Sequence, residues 1–168
     1  ANYKDIVSKI KFEGRAFING KYVDAIDGKK FETINPATGD VLCSVAQCNA
    51  KDVDLAVKVS RKAFNNGVWS RTSPEFRKDI LLKFAELLRR DGVENSVLEC
   101  IDTGKLIGDC INEVANDAPM HFQWYGELID KVFGKVGPTE PSLTSLIVKE
   151  PIGIVAGVVP WNFPLMMA

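Results

Sequence analysis

The spacing of apolar residues predicts an α/β fold, and three observations support this prediction. The N-terminal third, residues 15–46, alternates short strand-like runs with turn residues. From residue 49 to residue 132, apolar positions recur with helical periodicity. The run at residues 152–159 is apolar on both faces, which is typical of a strand at the centre of a parallel sheet covered by helices.

The N-terminal strands are separated by two turns of recognisable chemistry. The predicted strands cover residues 15–18, 21–23, 31–34 and 41–46. Asn19-Gly20 is typical of a type I′ hairpin turn, because both central residues need a positive φ. The second turn contains Pro36, which fixes φ, and Gly39, which can take a left-handed conformation. The sequence therefore predicts a small antiparallel β unit.

Four amphipathic helices are predicted after the β unit, and the first two have clear start signals. Asn49 can cap the first helix, with Asp52 three residues later, and Gly67 follows its end. Ser73 can cap the second helix, where Pro74 is tolerated at the first helical position.

Two further helices complete this region. The second helix ends at Asp91-Gly92, and a shorter third helix ends at residues 102–104. The fourth helix follows apolar positions from residue 107 to residue 132. We expect it to kink at Pro119, where a backbone donor is lost.

The end of the chain departs from the helical pattern. The Gly-Pro-Thr-Glu-Pro connector at residues 137–141 is incompatible with a helix, and the β-prone residues 143–149 are predicted to form an arm strand. The strand at residues 152–159 needs parallel neighbours, which no earlier segment supplies. We therefore expect the chain to be truncated, with the remainder of this sheet beyond residue 168.

Composition and charge argue against several classes of protein. The 21 Lys and Arg residues nearly balance the 22 Asp and Glu residues, so neither nucleic acid nor an anionic membrane is expected as a partner. The apolar end of the chain contains two glycines, two prolines and Asn162, whereas a membrane span needs roughly 20 uninterrupted apolar residues. Residues 1–11 lack a secretory signal, so the protein is expected to be cytoplasmic.

The cysteines and the single histidine do not suggest a metal site. The cysteines are Cys43, Cys48, Cys100 and Cys110. They form no CxxC pair, and His121 lies near no cysteine cluster, so neither a zinc site nor a disulfide framework is supported. We interpret each cysteine as a structural residue.

The Pro-Trp-Asn-Phe-Pro turn at residues 160–164 is the strongest candidate for a site. It follows the predicted central strand, and ligands bind at the carboxyl ends of parallel strands. Asn162 offers two N–H donors without a titrating proton, which suits the stabilisation of an oxyanion. The alternative is that Asn162 is an ordinary residue of a proline-rich turn.

Six motifs occur in a fixed order along the chain. They are FING (17–20), INPATG (34–39), DVDLAV (52–57), LECIDTGK (98–105), EPIG (150–153) and VPWNFPL (159–165). Through them the chain resembles the N-terminal portion of the NAD(P)-dependent aldehyde dehydrogenases. It is most similar to the bacterial γ-glutamyl-γ-aminobutyraldehyde dehydrogenases, with betaine aldehyde or aliphatic aldehydes as alternative substrates. Trp161 favours the acid-forming branch over the CoA-acylating one.

The resemblance implies roles for individual residues. Asn162 corresponds to the asparagine that holds the oxyanion. The wall around the cofactor's ribose and nicotinamide corresponds to Val158, Val159, Pro160 and Trp161. The substrate tunnel corresponds to Phe163, Met167 and Asp117, although Asp117 also suits a solvated helix position. A monovalent-cation site corresponds to Thr33, Ile34 and Asp102, although Asp102 also suits the end of a helix beside Gly104.

The resemblance also implies an organisation and an activity. Residues 1–136 are the N-terminal part of a cofactor-binding domain, residues 137–150 the oligomerisation arm, and residues 151–168 the first strand and turn of a Rossmann-like sheet. The full-length protein is expected to oxidise an amino-aldehyde with NAD, or with NADP, as a homodimer or homotetramer. The reaction passes through a cysteine thiohemiacetal and a thioester.

This segment is predicted to be inactive alone, because the family's nucleophilic cysteine and general-base glutamate lie outside it. A competing hypothesis is that the 168 residues are a complete, non-catalytic product that binds other subunits through the arm strand.

Overall fold

Small β hairpins flank a group of packed helices in this chain. The computed structural model describes residues 2–168. Its strands are β1 (Ala16–Ile18), β2 (Lys21–Val23), β3 (Lys30–Ile34), β4 (Val41–Ala46), β5 (Lys135–Gly137) and β6 (Ser145–Ile147). Its α-helices are α1 (Tyr3–Val7), α2 (Ala50–Asn66), α3 (Pro74–Arg90), α4 (Gly92–Thr103), α5 (Ile107–Cys110), α6 (Ala118–Leu128) and α7 (Pro164–Met167). A π-helix (Ile111–Asp117) separates α5 from α6, and a 3₁₀ turn (Ile129–Lys131) follows α6.

The predicted β unit is confirmed as two antiparallel hairpins. β1 pairs with β2, and Asn19 and Gly20 between them have φ values of 55° and 74°, as a type I′ turn requires. β3 pairs with β4, with Thr33 opposite Cys43 and a register shift between Thr33 and Ile34. The turn between β3 and β4 has Gly39 at a φ of 80°. The residues of the two turns were therefore sufficient to predict both hairpins.

The predicted helix starts are also confirmed. The Asn49 side chain accepts a hydrogen bond from the Lys51 N–H at 2.8 Å, and the Asp52 carboxylate accepts one from the Asn49 N–H at 2.9 Å. At the next helix, the Ser73 hydroxyl accepts a hydrogen bond from the Phe76 N–H at 3.2 Å. Each cap satisfies a backbone donor that has no partner within its own helix.

The core lies where α3, α4, the π-helix and α6 meet. The buried apolar residues are Ala25, Ala85, Leu88, Val97, Cys110, Val114 and Ala118. Phe84 of α3 and Phe122 of α6 pack edge to face, with ring centroids 4.7 Å apart. The α4 backbone comes so close to the π-helix at Gly92 that an added Cβ would lie 2.7 Å from the Ala115 Cβ. A residue larger than glycine would therefore push these two helices apart.

The predicted fourth helix is not one kinked α-helix. It consists of α5, the π-helix, α6 and the 3₁₀ turn in succession. The irregularity precedes Pro119, which occupies the first turn of α6. Proline has no N–H to donate to the carbonyl four residues earlier, and its ring crowds that carbonyl. The wider π turn takes up this mismatch.

The strand predicted at residues 143–149 is confirmed in part, whereas its role as an oligomerisation arm stays a prediction. β6 occupies the centre of residues 143–149, and it pairs with β5, a strand that sequence reasoning did not predict. Gly137 of the predicted connector therefore ends β5, and residues 138–141 lie in the hairpin loop. All three residues of β6 are exposed.

The segment at residues 152–159 does not form a strand in the structure. A strand needs a hydrogen-bonded neighbour, and none of the described residues 2–168 pairs with it. Val158 is 99% exposed. The assignment of this segment to a parallel sheet stays a prediction. The division of the chain into parts after residues 136 and 150 also stays a prediction. The short α7 that follows was predicted only as a turn.

No helix among residues 2–168 is long and apolar enough to span a bilayer.

Candidate functional site

The turn at residues 160–164 connects the exposed segment to α7. Pro164 starts α7, and the Met167 N–H donates to the Phe163 carbonyl at 3.1 Å. Asn162 and Phe163 are half-buried, whereas Trp161 is exposed. The polar residue of the turn therefore lies against the protein, and the tryptophan before it faces outward.

A lysine from a distant part of the chain holds this turn. The Lys105 Nζ donates to the Asn162 backbone carbonyl at 2.9 Å. The same ammonium lies 4.6 Å from the centroid of the Phe163 ring, within the range of a cation–π contact. The bond to Asn162 uses the backbone, so the side-chain amide remains available for another partner.

Two carboxylates hold the Lys105 ammonium in place. Its Nζ is 3.1 Å from the Glu99 Oε1 and also contacts the Glu113 carboxylate. Glu99 lies on α4 and Glu113 on the π-helix. The Cys100 thiol donates to the Lys105 carbonyl at 3.0 Å, which fixes the backbone as well. Sequence reasoning missed Lys105, because it lies 57 positions before Asn162 in the chain.

The residues matched to a cofactor wall are Val158, Val159, Pro160 and Trp161, and all four are exposed. They are consecutive and lead directly into Asn162. Their surface is apolar, apart from the indole N–H and the backbone. Their assignment to a cofactor wall stays a prediction.

The residues matched to a substrate tunnel lie on neighbouring elements. α7 packs against both α6 and the π-helix. Met167 of α7 lines a cleft with His121, Phe122 and Tyr125 of α6. Asp117 is the last residue of the π-helix and is half-buried. The Phe163 ring lies instead against Lys105.

The residues matched to a cation site come together across the fold. The Thr33 hydroxyl donates to the Asp102 Oδ1 at 2.7 Å, which joins β3 to α4. Both residues line a cleft of about 740 Å³ that also includes Glu13 and Glu99. Ile34 follows Thr33 at the register shift. Hydroxyl and carboxylate oxygens are ligands that hard cations prefer.

Across residues 2–168, no group of three or more His, Cys, Asp or Glu side chains has a metal-binding arrangement.

The cysteines are poorly suited to nucleophilic chemistry. Burial raises the pKa of Cys110 to about 11. Burial also raises the pKa of Cys43, and the charge of Asp102 raises it further. The pKa of Cys48 is raised chiefly by burial. The thiolate is the nucleophilic form, so these three thiols are disfavoured as nucleophiles at neutral pH. This supports their interpretation as structural residues.

Most of the chain matches the sequence model of a known protein family. The profile described as "Aldehyde dehydrogenase family" matches residues 22–168. Aminoacetaldehyde dehydrogenase of Pseudomonas aeruginosa is 41% identical over 98% of this chain and 33% of its own length. The NADP/NAD-dependent aldehyde dehydrogenase PuuC of Escherichia coli is 39% identical over 99% of this chain and 34% of its own length. The chain thus spans about one third of the curated relatives it matches.

Solved structures show the same similarity in three dimensions. A γ-glutamyl-γ-aminobutyraldehyde dehydrogenase from Burkholderia cenocepacia has a TM-score of 0.96 and 43% identity, over 99% of this chain and 34% of that one. An indole-3-acetaldehyde dehydrogenase variant from P. syringae, in complex with NAD+ and IAA, has a TM-score of 0.96 and 41% identity, with the same coverage. A betaine aldehyde dehydrogenase variant from Staphylococcus aureus has a TM-score of 0.89 and 28% identity, over 97% of this chain and 32% of that one.

Proposed function

Because the chain belongs to the aldehyde dehydrogenase family, we propose that the full-length protein oxidises an aldehyde to its carboxylic acid with NAD. The observation that carries this proposal is the anchored Asn162. Its backbone carbonyl is held at 2.9 Å by Lys105, which leaves the side-chain amide free to donate to a substrate oxygen. Fixed donors of this kind stabilise the charge that develops on a reacting carbonyl.

The proposed chemistry combines this geometry with the mechanism that the family resemblance implies. A cysteine thiolate outside this chain attacks the aldehyde, and Asn162 donates to the oxyanion of the resulting thiohemiacetal. Bound NAD would accept the hydride that leaves the thiohemiacetal carbon as the thioester forms, and Val158, Val159, Pro160 and Trp161 would form one wall of its site. Water, activated by a glutamate outside this chain, then cleaves the thioester and releases the acid.

The role of Asn162 is tested in the full-length protein by Asn162→Ala. We expect kcat for aldehyde-dependent NADH formation to fall by about 10²-fold or more, as for the loss of one oxyanion donor. The KM for NAD should change little, since the cofactor wall is intact. Asn65→Ala, at an exposed position near the end of α2, is the matched control. Unchanged turnover in Asn162→Ala would contradict the proposed role.

The substrate is proposed to be an amino-aldehyde. Support comes from the relatives named for aminoacetaldehyde and γ-glutamyl-γ-aminobutyraldehyde, at 41% and 43% identity. The betaine aldehyde dehydrogenase is less similar, at 28%. The test is to measure kcat/KM for ω-amino aldehydes, betaine aldehyde, aliphatic aldehydes and indole-3-acetaldehyde, each with NAD and NADP. A higher kcat/KM for any of the other three classes would contradict the amino-aldehyde assignment.

We also propose that Thr33, the backbone at Ile34 and Asp102 bind a monovalent cation. The 2.7 Å contact between the Thr33 hydroxyl and the Asp102 carboxylate supports this. Thermal unfolding of the full-length protein should occur at a higher temperature in potassium chloride than in choline chloride of equal concentration. Asp102→Asn should remove the difference. An equal difference in this variant would contradict the proposed site.

A further inference from the structure

The Lys105 ammonium is the point at which three separate elements meet. Glu99 comes from α4, Glu113 from the π-helix, and the Asn162 carbonyl from the turn before α7. Lys105 itself follows Gly104, which ends α4 in a left-handed conformation with a φ of 78°. One side chain therefore links the turn to both α4 and the π-helix.

The cluster is buried enough for its geometry to be specific. The exposed fractions of the Lys105 and Glu99 side chains are 16% and 7%. Charges with so little access to water need partners in good geometry, because the cost of desolvation must be offset. Two carboxylates face one ammonium, and the ammonium also donates to the Asn162 carbonyl. A hydrogen bond with a charged donor is stronger than one between neutral groups.

We propose that Lys105 is a positioning residue for the oxyanion donor Asn162. It does not contact the reacting atoms. It fixes the Asn162 peptide through the backbone carbonyl and the following residue through the Phe163 ring, so only the two side-chain torsions of Asn162 remain free. This inference rests on the proposed function of Asn162. Because a misplacement of about 1 Å can cost up to about 10²-fold in rate, the anchor matters for turnover.

A double-mutant cycle in the full-length protein tests this proposal. Lys105→Met should lower kcat by about tenfold or more, with little change in the KM for NAD. In the Asn162→Ala background, the same substitution should change kcat by less than about twofold, because its effect passes through Asn162. Lys105→Arg, which keeps the charge and the donor, should recover part of the lost turnover. Lys83→Met, which removes an exposed lysine paired with Glu86 on α3, should leave kcat unchanged.

Two results would overturn the proposal. One is an unchanged kcat in Lys105→Met. The other is an equal loss in the two backgrounds, which would show a general structural effect. Glu113→Gln keeps Lys105 and removes one of its anionic partners, so it provides a milder second variant if Lys105→Met folds poorly. Its kcat loss must also disappear in the Asn162→Ala background, and an additive loss would count against the proposal.

A second measurement separates this inference from the proposed activity. Amide hydrogen exchange of the peptide covering residues 160–167 should be faster in Lys105→Met than in the unsubstituted full-length protein, and unchanged in Lys83→Met. If the protein oxidised no aldehyde, the proposed function would fail while this readout still tested the anchor. Unchanged exchange in Lys105→Met would overturn the anchor itself.

Discussion

Asp52 links α2 to the loop between the two N-terminal hairpins. One carboxylate oxygen accepts from the Asn49 N–H and the other from the Ile26 N–H, both at 2.9 Å. The residue is only 2% exposed. A carboxylate that would be costly to bury alone is thus matched by two backbone donors. The sequence predicted the local half of this arrangement, whereas the bond to Ile26 spans 26 residues and has no local signal.

Removing this carboxylate should destabilise the full-length protein. In Asp52→Ala, the part-buried N–H groups of Ile26 and Asn49 lose their partner, and a hydrogen bond to a charged group contributes about 1.5–3 kcal/mol. We expect a lower midpoint of thermal unfolding by circular dichroism. Asp54→Ala, at an exposed position of the same helix, should leave the midpoint almost unchanged. Equal midpoints for the two variants would contradict the bridging role of Asp52.

Cys110 should make stability sensitive to alkaline pH. Burial raises the pKa of its thiol from 9.0 to about 11 in the folded chain, so the fold favours the neutral form. This contribution is fully present below the unfolded pKa of 9.0 and is lost as the pH rises through about 11. The midpoint of thermal unfolding of the full-length protein should therefore fall as the pH rises from 9.0 to about 11. Cys110→Ala should show a shallower decline over this interval, and an identical slope would contradict the assignment.

At the scale of the elements, we propose that the β5–β6 hairpin is an interface with another subunit. Leu146 and Ile147 of β6 are exposed, as is Val136 of β5. A short antiparallel pair with exposed apolar side chains offers an open edge to another chain. A hairpin of this kind is at best marginally stable alone, so a partner would stabilise it.

This hairpin should control the oligomeric state of the full-length protein. Ile147→Asp places a charge on the exposed strand, and we expect light scattering coupled to size exclusion to show a smaller assembly. Ile147→Val keeps an apolar, β-branched side chain and should retain the original assembly. If Ile147→Asp assembles like the unsubstituted protein, the arm is not the interface.

The elements that the sequence predicted are those whose signals are local. Asn19-Gly20 defined a turn, and Asn49 and Ser73 defined helix starts, because each acts on backbone within three residues. β5 was missed because its conformation depends on a neighbour in space, since it pairs with β6 eight or more residues later. Pro119 predicted a kink, and the structure accommodates this proline with a π-helix before it. At the site, Asn162 could be found from its motif. Lys105 could not, since only folding brings it to the turn.

At the scale of the whole molecule, the chain has a larger accessible surface than a typical folded monomer of the same mass. Its accessible surface is 12171 Å² at 18.5 kDa, whereas a folded monomer of that mass exposes about 8,200 Å². Many large apolar side chains are exposed. Val53 and Val57 on α2, Ile152 and Val158 near the site, and Phe133 beside the arm are all exposed. These surfaces are available to contact other protein, and the relatives are about three times as long as this chain.

The uncovered surface leads to a prediction for the 168-residue chain expressed alone. Contiguous apolar patches bind hydrophobic dyes, so at equal molar concentration the isolated chain should give a stronger anilinonaphthalene sulfonate signal than the full-length protein. It should also form no NADH from any aldehyde, because the proposed nucleophile and general base are absent and Asn162 alone supplies only an oxyanion donor. The dye signal should fall when a segment carrying the remaining two thirds of the protein is added in trans. If the isolated chain bound no more dye than the full-length protein, its apolar faces would be covered within these 168 residues. NADH formation by the isolated chain would show that the nucleophile lies within it, contrary to the mechanism proposed here.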